Sequence, residues 1–194
     1  MTPAGRPRST ETRERLLEAT LAYAAENGIT DVSFRELARA LGTTHRMLGY
    51  HFGSKEGLLV AVVQRVEERQ RTALTALLGD DSLGVEEQID RMSEVLGDPA
   101  QVPNERLLLE LYGQAVQGRH PAVELFPRIV TAWIDPLRDL AGRLGFPEED
   151  RDAVAHLMLA VSRGLLLDYL ATGDVAAAER AAGLFRRLLS GRSP

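Results

Sequence analysis

Phe34-Arg35-Glu36-Leu37-Ala38-Arg39-Ala40-Leu41-Gly42-Thr43-Thr44-His45-Arg46-Met47-Leu48-Gly49-Tyr50-His51-Phe52 reads as two short helices joined by a tight turn. Ser33 stands three residues before Glu36. At this spacing the serine hydroxyl and the glutamate carboxylate each accept a free backbone N–H at a helix start. Gly42 permits the sharp reversal after Leu41, and Thr44 is placed to cap the helix that follows, which is expected to run from His45 to His51. Leu37, Ala38, Leu41, Leu48 and Phe52 fall on facing sides and make a miniature core, with the small Ala38 letting the helices approach. The pattern is that of a helix-turn-helix. The polar face of its second helix is left outward, with a shape and chemistry suited to the major groove of DNA.

On the N-terminal side of this motif, the first eight residues read as a flexible arm, and Thr10 to Asn27 carries apolar residues at helical spacing, stopped by Gly28. After the turn at Gly53-Ser54, Ser54 caps a helix reaching about Leu78. The breakers Gly79 to Asp81, Gly97 to Pro99, Gly118 to Pro121, Gly145 to Pro147 and Gly173 then separate further helices. These are expected near Val85 to Leu96, Asn104 to Gln117, Val123 to Leu144, Glu148 to Thr172 and Asp174 to Ser190, with a kink or break at Asp135-Pro136. No stretch alternates with period two for long. The fold class is all-α: an N-terminal three-helix helix-turn-helix domain over residues 8–55, followed by a helical domain over residues 56–194.

Composition supports this division. The chain of 194 residues is 44% hydrophobic, enough for a core, and only 5% aromatic. Its Leu- and Ala-rich makeup favours helix. The net charge of −5 is uneven: up to Lys55 there are eight basic and six acidic residues, and beyond it fifteen and twenty-two. A basic head on an acidic body orients the head toward phosphate. With no cysteine, thiolate metal sites, disulfides and cysteine nucleophiles are excluded. No apolar run reads as long enough for a membrane span of roughly 20 residues, and the N-terminus lacks a signal-peptide core, so a cytoplasmic protein is expected.

The chain resembles the TetR (tetracycline-repressor-like) family of transcriptional regulators. The resemblance covers roughly Arg13 to Leu59 and rests on Arg13 to Glu18, Gly28, the Ser33 to Ala38 block, Leu41-Gly42, Leu48, Tyr50-His51-Phe52 and Ser54-Lys55-Glu56. It implies a ligand-responsive regulator, in the main a repressor, that binds a palindromic operator as a homodimer and is released by a small molecule. Thr44, His45, Arg46 and Met47 would then face bases or the groove wall, while Tyr50, His51 and Lys55 would hold phosphates, Lys55 helped by the free N–H groups of the next helix. Arg6 and Arg8 would follow the minor groove if ordered. Two positions depart from the family: Ala24 stands where an aromatic is usual, with Tyr23 expected to fill the space, and Gly49 replaces a tyrosine that contacts phosphate.

Within the second domain, Tyr112, Phe126, Trp133, His156 and Tyr169 offer apolar walls with polar tips and are the candidates for an effector pocket. The apolar stripes Val154, Leu157, Met158, Val161, Leu165 and Ala178, Ala182, Phe185, Leu188, Leu189 on the last two helices would, as the resemblance implies, pair with their two-fold mates, making residues 56–194 a helical ligand-binding and dimerisation domain; the alternative is internal core. Enzyme chemistry finds no footing. The four histidines, at 45, 51, 120 and 156, lack the Glu-x-x-His and His-Glu-x-x-His spacings of metal sites, and Asp152 with His156 makes only two ligands. Gly49 to Lys55 has the wrong order for a phosphate loop. No enzyme, cofactor or metal is expected. The competing reading is an all-helical small-molecule-binding or scaffolding protein without operator binding.

Overall fold

The computed structural model describes residues 6–29, 31–80, 82–96, 98–119 and 122–191. Among them are nine α-helices: α1 (Arg6–Asn27), α2 (Phe34–Ala40), α3 (His45–Phe52), α4 (Lys55–Leu78), α5 (Val85–Leu96), α6 (Val102–Val116), α7 (Ala122–Arg143), α8 (Glu148–Thr172) and α9 (Val175–Leu189), with a single 3-10 turn at Pro99–Gln101 before α6. No strand occurs among the described residues.

Helix boundaries follow local chemistry. Ser33 and Glu36 form the reciprocal cap, Glu36 N–H donating to Ser33 Oγ at 3.2 Å and Ser33 N–H to Glu36 Oε2 at 2.9 Å. Gly173, at φ 73°, ends α8 in the left-handed conformation that glycine adopts without strain, and its N–H donates to Tyr169 O at 2.8 Å. Asp174 then caps α9 through Ala177 N–H at 2.9 Å.

Two elements differ from expectation. Helix α1 starts at Arg6 instead of about Thr10, because Pro7 in a first turn removes only an N–H that would have no partner in the helix. Helix α7 runs unbroken through Pro127 and Pro136. The cost of an interior proline, about 3 kcal/mol, is outweighed by one continuous buried stripe: Ile129, Trp133, Leu137, Leu140 and Ala141 are all at most 7% exposed.

The chain gathers into two compact units that do not follow chain order. The first holds the described residues up to Glu68 together with Pro99–Phe126; the second holds Arg69–Asp98 and the described residues from Pro127 onward. In the first unit Leu16, Leu17, Leu21, Leu37, Ala38, Leu48, Leu58, Val62, Leu107 and Leu111 are buried, and α6 packs on α1. Ala24 is buried in this core and Tyr23 half-buried beside it.

In the second unit α8 packs on α9, Arg186 bonds Asp90 at 2.6 Å, and Arg143 donates to the carbonyl of Leu78. Arg138 bridges α7 to the start of α8 through Glu148 at 2.5 Å and Asp152 at 3.3 Å. Helix α8 corrects the expectation that no segment has the length and apolarity of a membrane span. It contains an 18-residue stretch of mean hydropathy 1.4, of which only 17% is buried. Most of its charges gather at its start, Glu148 to Asp152, and beyond them only Arg163 and Asp168 are charged. A single helix of this kind is equally what a protein–protein interface requires.

Candidate nucleic-acid interface

Helix α3 is anchored by its underside. Leu48 is fully buried and Phe52 9% exposed, one turn apart, against Leu37 and Ala38 of α2, while Leu41 is half-buried. Thr44 caps the helix, its Oγ1 accepting the Met47 N–H at 3.1 Å, so its hydroxyl is already engaged before any DNA arrives. His45, Arg46, Met47 and Tyr50 lie outward; Tyr50 is 74% exposed and Met47 38%. The helix therefore presents an imidazole, a guanidinium, a thioether and a phenol on one surface. His45 is also steadied from behind, its ring edge-on to Phe34 of α2 at 5.1 Å. Gly49 sits on the same helix with a helical φ, and a Cβ there would meet nothing within 4 Å.

His51 and Lys55 are less open than the outward residues of α3. His51 is half-buried, its ring edge-on to Tyr50 at 5.0 Å, and its Nε2 is buried without a partner. Lys55 is half-buried at the start of α4, but the N–H groups around it are not all free. Gly57 N–H donates to Ser54 Oγ at 3.1 Å, and the Glu56 carboxylate accepts its own N–H and the Ser54 hydroxyl, which holds its pKa below the ordinary range. Ser54 and Glu56 thus satisfy part of the helix terminus that an incoming phosphate was expected to use. The side chains of Arg6 and Arg8, and His120, lie outside the described residues.

Of the effector-pocket candidates, Tyr112 and Phe126 come together in the first unit, with ring centroids 4.0 Å apart and planes at 48°. In the second unit Trp133 is buried, Tyr169 half-buried, and His156 exposed. His156 stands nearly opposite Met158 around α8, and its Nδ1 lies 2.9 Å from the Asp152 carbonyl of its own helix. It therefore faces away from the core of its unit. The second unit holds a group that residue spacing alone did not single out: Gln88 is fully buried, its Nε2 donates to Asp80 O at 2.9 Å, and its Oε1 has no partner. Since a carbonyl can only accept, the amide orientation is fixed and the orphan must be an acceptor. The signal was a glutamine on the apolar face defined by Val85, Ile89, Met92 and Leu96. No group of three or more potential metal ligands occurs among the described residues.

The stripes on α8 and α9 also resolve. Val154 and Met158 are buried, and Val161 and Leu165 half-buried, so that line belongs largely to the interior. The exposed line is one residue round: Leu157 at 57% and Leu167 at 53%, with Ala160 and Gly164 between them, and on α9 Leu184 at 41% and Leu188 at 59%.

A capped two-helix motif with an outward polar face, carried on an all-helical chain, defines a helix-turn-helix transcriptional regulator. The sequence model described as "Bacterial regulatory proteins, tetR family" matches residues 16–62. Residues 16–62 are thus those of a TetR-family regulator, and the relatives and folds matched over the rest of the chain support the same family. It is 25% identical over 187 residues to the HTH-type transcriptional regulator BetI of Cronobacter sakazakii, covering 94% of this chain and 93% of the relative. Among solved structures it is similar to a TetR-family transcriptional regulator from Pectobacterium atrosepticum, with TM-score 0.75 and 24% identity over 96% of each chain. It is also similar in fold to a putative transcriptional regulator from Saccharomonospora viridis in complex with choline, with TM-score 0.73 and 21% identity over 93% of this chain and 96% of that one.

Proposed function

We propose that this regulator acts as a homodimeric repressor, seating α3 of each copy in successive major grooves of a palindromic operator, and that a small organic effector releases it. The observation that carries the reading is the outward face of α3: His45, Arg46, Met47 and Tyr50 exposed over a buried Leu48–Phe52 underside. A single eight-residue helix reads few base pairs, so useful specificity calls for two copies about one helical turn of DNA apart, roughly 34–36 Å. In this reading residues 8–55 are the DNA-binding part and residues 56–194 the effector-binding and dimerisation part, joined by α4, and the protein works in the cytoplasm. An effector that changes the separation of the two recognition helices breaks their register, and by linkage operator DNA weakens effector binding by the same factor. Each unit offers its own groups to an effector, the Tyr112–Phe126 ring pair in the first and Trp133, Tyr169 and the unpaired Gln88 acceptor in the second, and the choline named with the Saccharomonospora viridis structure makes choline a first compound to try. Gel shift with DNA from beside the protein's own gene separates this from an all-helical binding or scaffolding protein: no selective shift with any such fragment would favour the latter.

Arg46 and Lys55 are expected to differ in kind. Arg46→Ala should cost about 1–3 kcal/mol on the cognate operator and relax preference at one position per half-site, since arginine pairs with guanine O6 and N7. Lys55→Ala should weaken all sequences alike and lower the salt slope by about one for each phosphate left without its lysine. Titrations on cognate and scrambled duplexes at several salt concentrations read both; unchanged affinity and base preference in Arg46→Ala would remove Arg46 from the reading face.

Gly49→Tyr should tighten binding to any duplex. The added Cβ has open space, and replacing a helical glycine removes a backbone-entropy cost of about 0.5–1 kcal/mol relative to alanine. The same titrations check this, and a variant that binds no more tightly to scrambled DNA would show that position 49 does not face phosphate.

A further inference from the structure

Glu14 on α1 is shared by two arginines. Arg65 of α4 donates through Nη2 to Glu14 and through Nη1 to Glu18 Oε1 at 2.6 Å, with Nε 3.7 Å from Glu68 Oε2. Arg13 Nη1 lies 3.5 Å from Glu14 Oε1 on the other side. The Arg13 guanidinium stands 5.0 Å from the centroid of the Phe52 ring, and Phe52 is the last residue of α3. All these residues belong to the first unit. A continuous line of contacts therefore runs from α4, through α1, to the end of the recognition helix.

We propose that Arg65, Glu14 and Arg13 form a positioning relay by which α4 sets the pose of α3 against DNA. It rests on the operator-binding reading above. Glu14 and Glu18 are one turn apart on α1, so one guanidinium gripping both fixes the rotation of α1 as well as its distance from α4; a single ion pair would fix the distance alone. The Arg13 guanidinium over the Phe52 ring extends that constraint to α3. Stability is not the purpose. Both glutamates are more than 40% exposed, and ion pairs so open to solvent contribute little to folding. Leu16, Leu17 and Leu21 already hold α1 to its unit by burial. Arg65 holds the Glu14 carboxyl below the ordinary carboxylate range, so the contact is charged at neutral pH.

The test uses the full chain and a duplex selected by the wild-type protein from random sequence, with affinity read by fluorescence anisotropy over a range of salt. Arg65→Met and the near-isosteric Glu14→Gln should each weaken operator binding about tenfold, with an unchanged salt slope, because every phosphate keeps its cation. Their melting temperatures should stay close to wild type. The double variant should be no weaker than the weaker single one, since both interrupt one path. Arg65→Lys, which keeps the charge but cannot span two carboxylates, should not restore affinity. Singles that bind within twofold of wild type, effects of the two singles that add, a salt slope lowered by one, or weaker binding matched by collapse of the melting temperature would each overturn the relay. If the wild type itself selects no sequence, the operator reading falls and the relay with it; if it selects one and the variants bind alike, only the relay falls.

Discussion

Replacing Leu157 and Leu167 together with aspartate is expected to turn the proposed dimer into a monomer and weaken operator binding by about two to four orders of magnitude. The two leucines, with Ala160 and Gly164 between them, repeat at three- and four-residue intervals on the exposed face of α8, and Leu184 and Leu188 continue an apolar exposure on α9. A soluble monomer rarely leaves such a line in water. The small residues at 160 and 164 allow two backbones to approach closely, and a Cβ at Gly164 would meet nothing within 4 Å in this chain. Buried aspartates facing their two-fold mates would be unpaired charges, which is the strongest way to open such an interface. DNA binding weakens in turn because two linked half-sites bind with an effective concentration that one head lacks. Val154→Asp and Met158→Asp are the controls: these side chains are buried within the chain, so they should lower the melting temperature instead of yielding a folded monomer. Sedimentation of the double variant decides the matter. An unchanged dimer would mean that this line is not the interface.

The second large effect is expected at Gly57. It lies in the first turn of α4, where an added Cβ would meet the carbonyl oxygen of Phe52 far inside van der Waals range, and that backbone atom cannot swing aside. Gly57→Ala must therefore push the α3–α4 turn apart, which also disturbs the Ser54 cap on the Gly57 N–H and the seat of Phe52. Overpacking of this kind costs about 1–3 kcal/mol or more. Operator affinity should fall with it, since Phe52 anchors the end of the recognition helix. Thermal unfolding and DNA titration of the single variant read both effects. Wild-type values in both would show that the turn relaxes freely and that Phe52 does not depend on it.

The head was legible because its signals are local and redundant. Ser33 with Glu36, Gly42, Thr44 and Ser54 each mark a helix boundary through a specific backbone hydrogen bond or conformation, and the observed elements start and end within a residue or two of those marks. Helix α8 was legible in extent but not in phase. From Ala153 to Leu170 apolar residues fall on more than one side, with Arg163 and Asp168 the only charges, so periodicity could not tell the line through Val154 and Met158 from the one through Leu157 and Leu167, nor show that His156 faces outward. The inward turn of the His51 Nε2 and the partly satisfied start of α4 depend on side-chain geometry across a turn, which residue spacing does not encode. The passage of α7 through Pro136 depends on the packing of residues on both sides of it, a tertiary effect that overrides a strong local signal.

Whether α3 reads DNA in pairs is decided by selecting bound duplexes from random DNA with the wild-type protein and then measuring how many chains bind each selected duplex. The expected product is an inverted repeat with half-site centres one helical turn apart, bound by two chains, or by a multiple of two, per duplex. Recovery of no preferred sequence, or of a single unrepeated site bound by one chain, would contradict a dimeric operator-binding regulator.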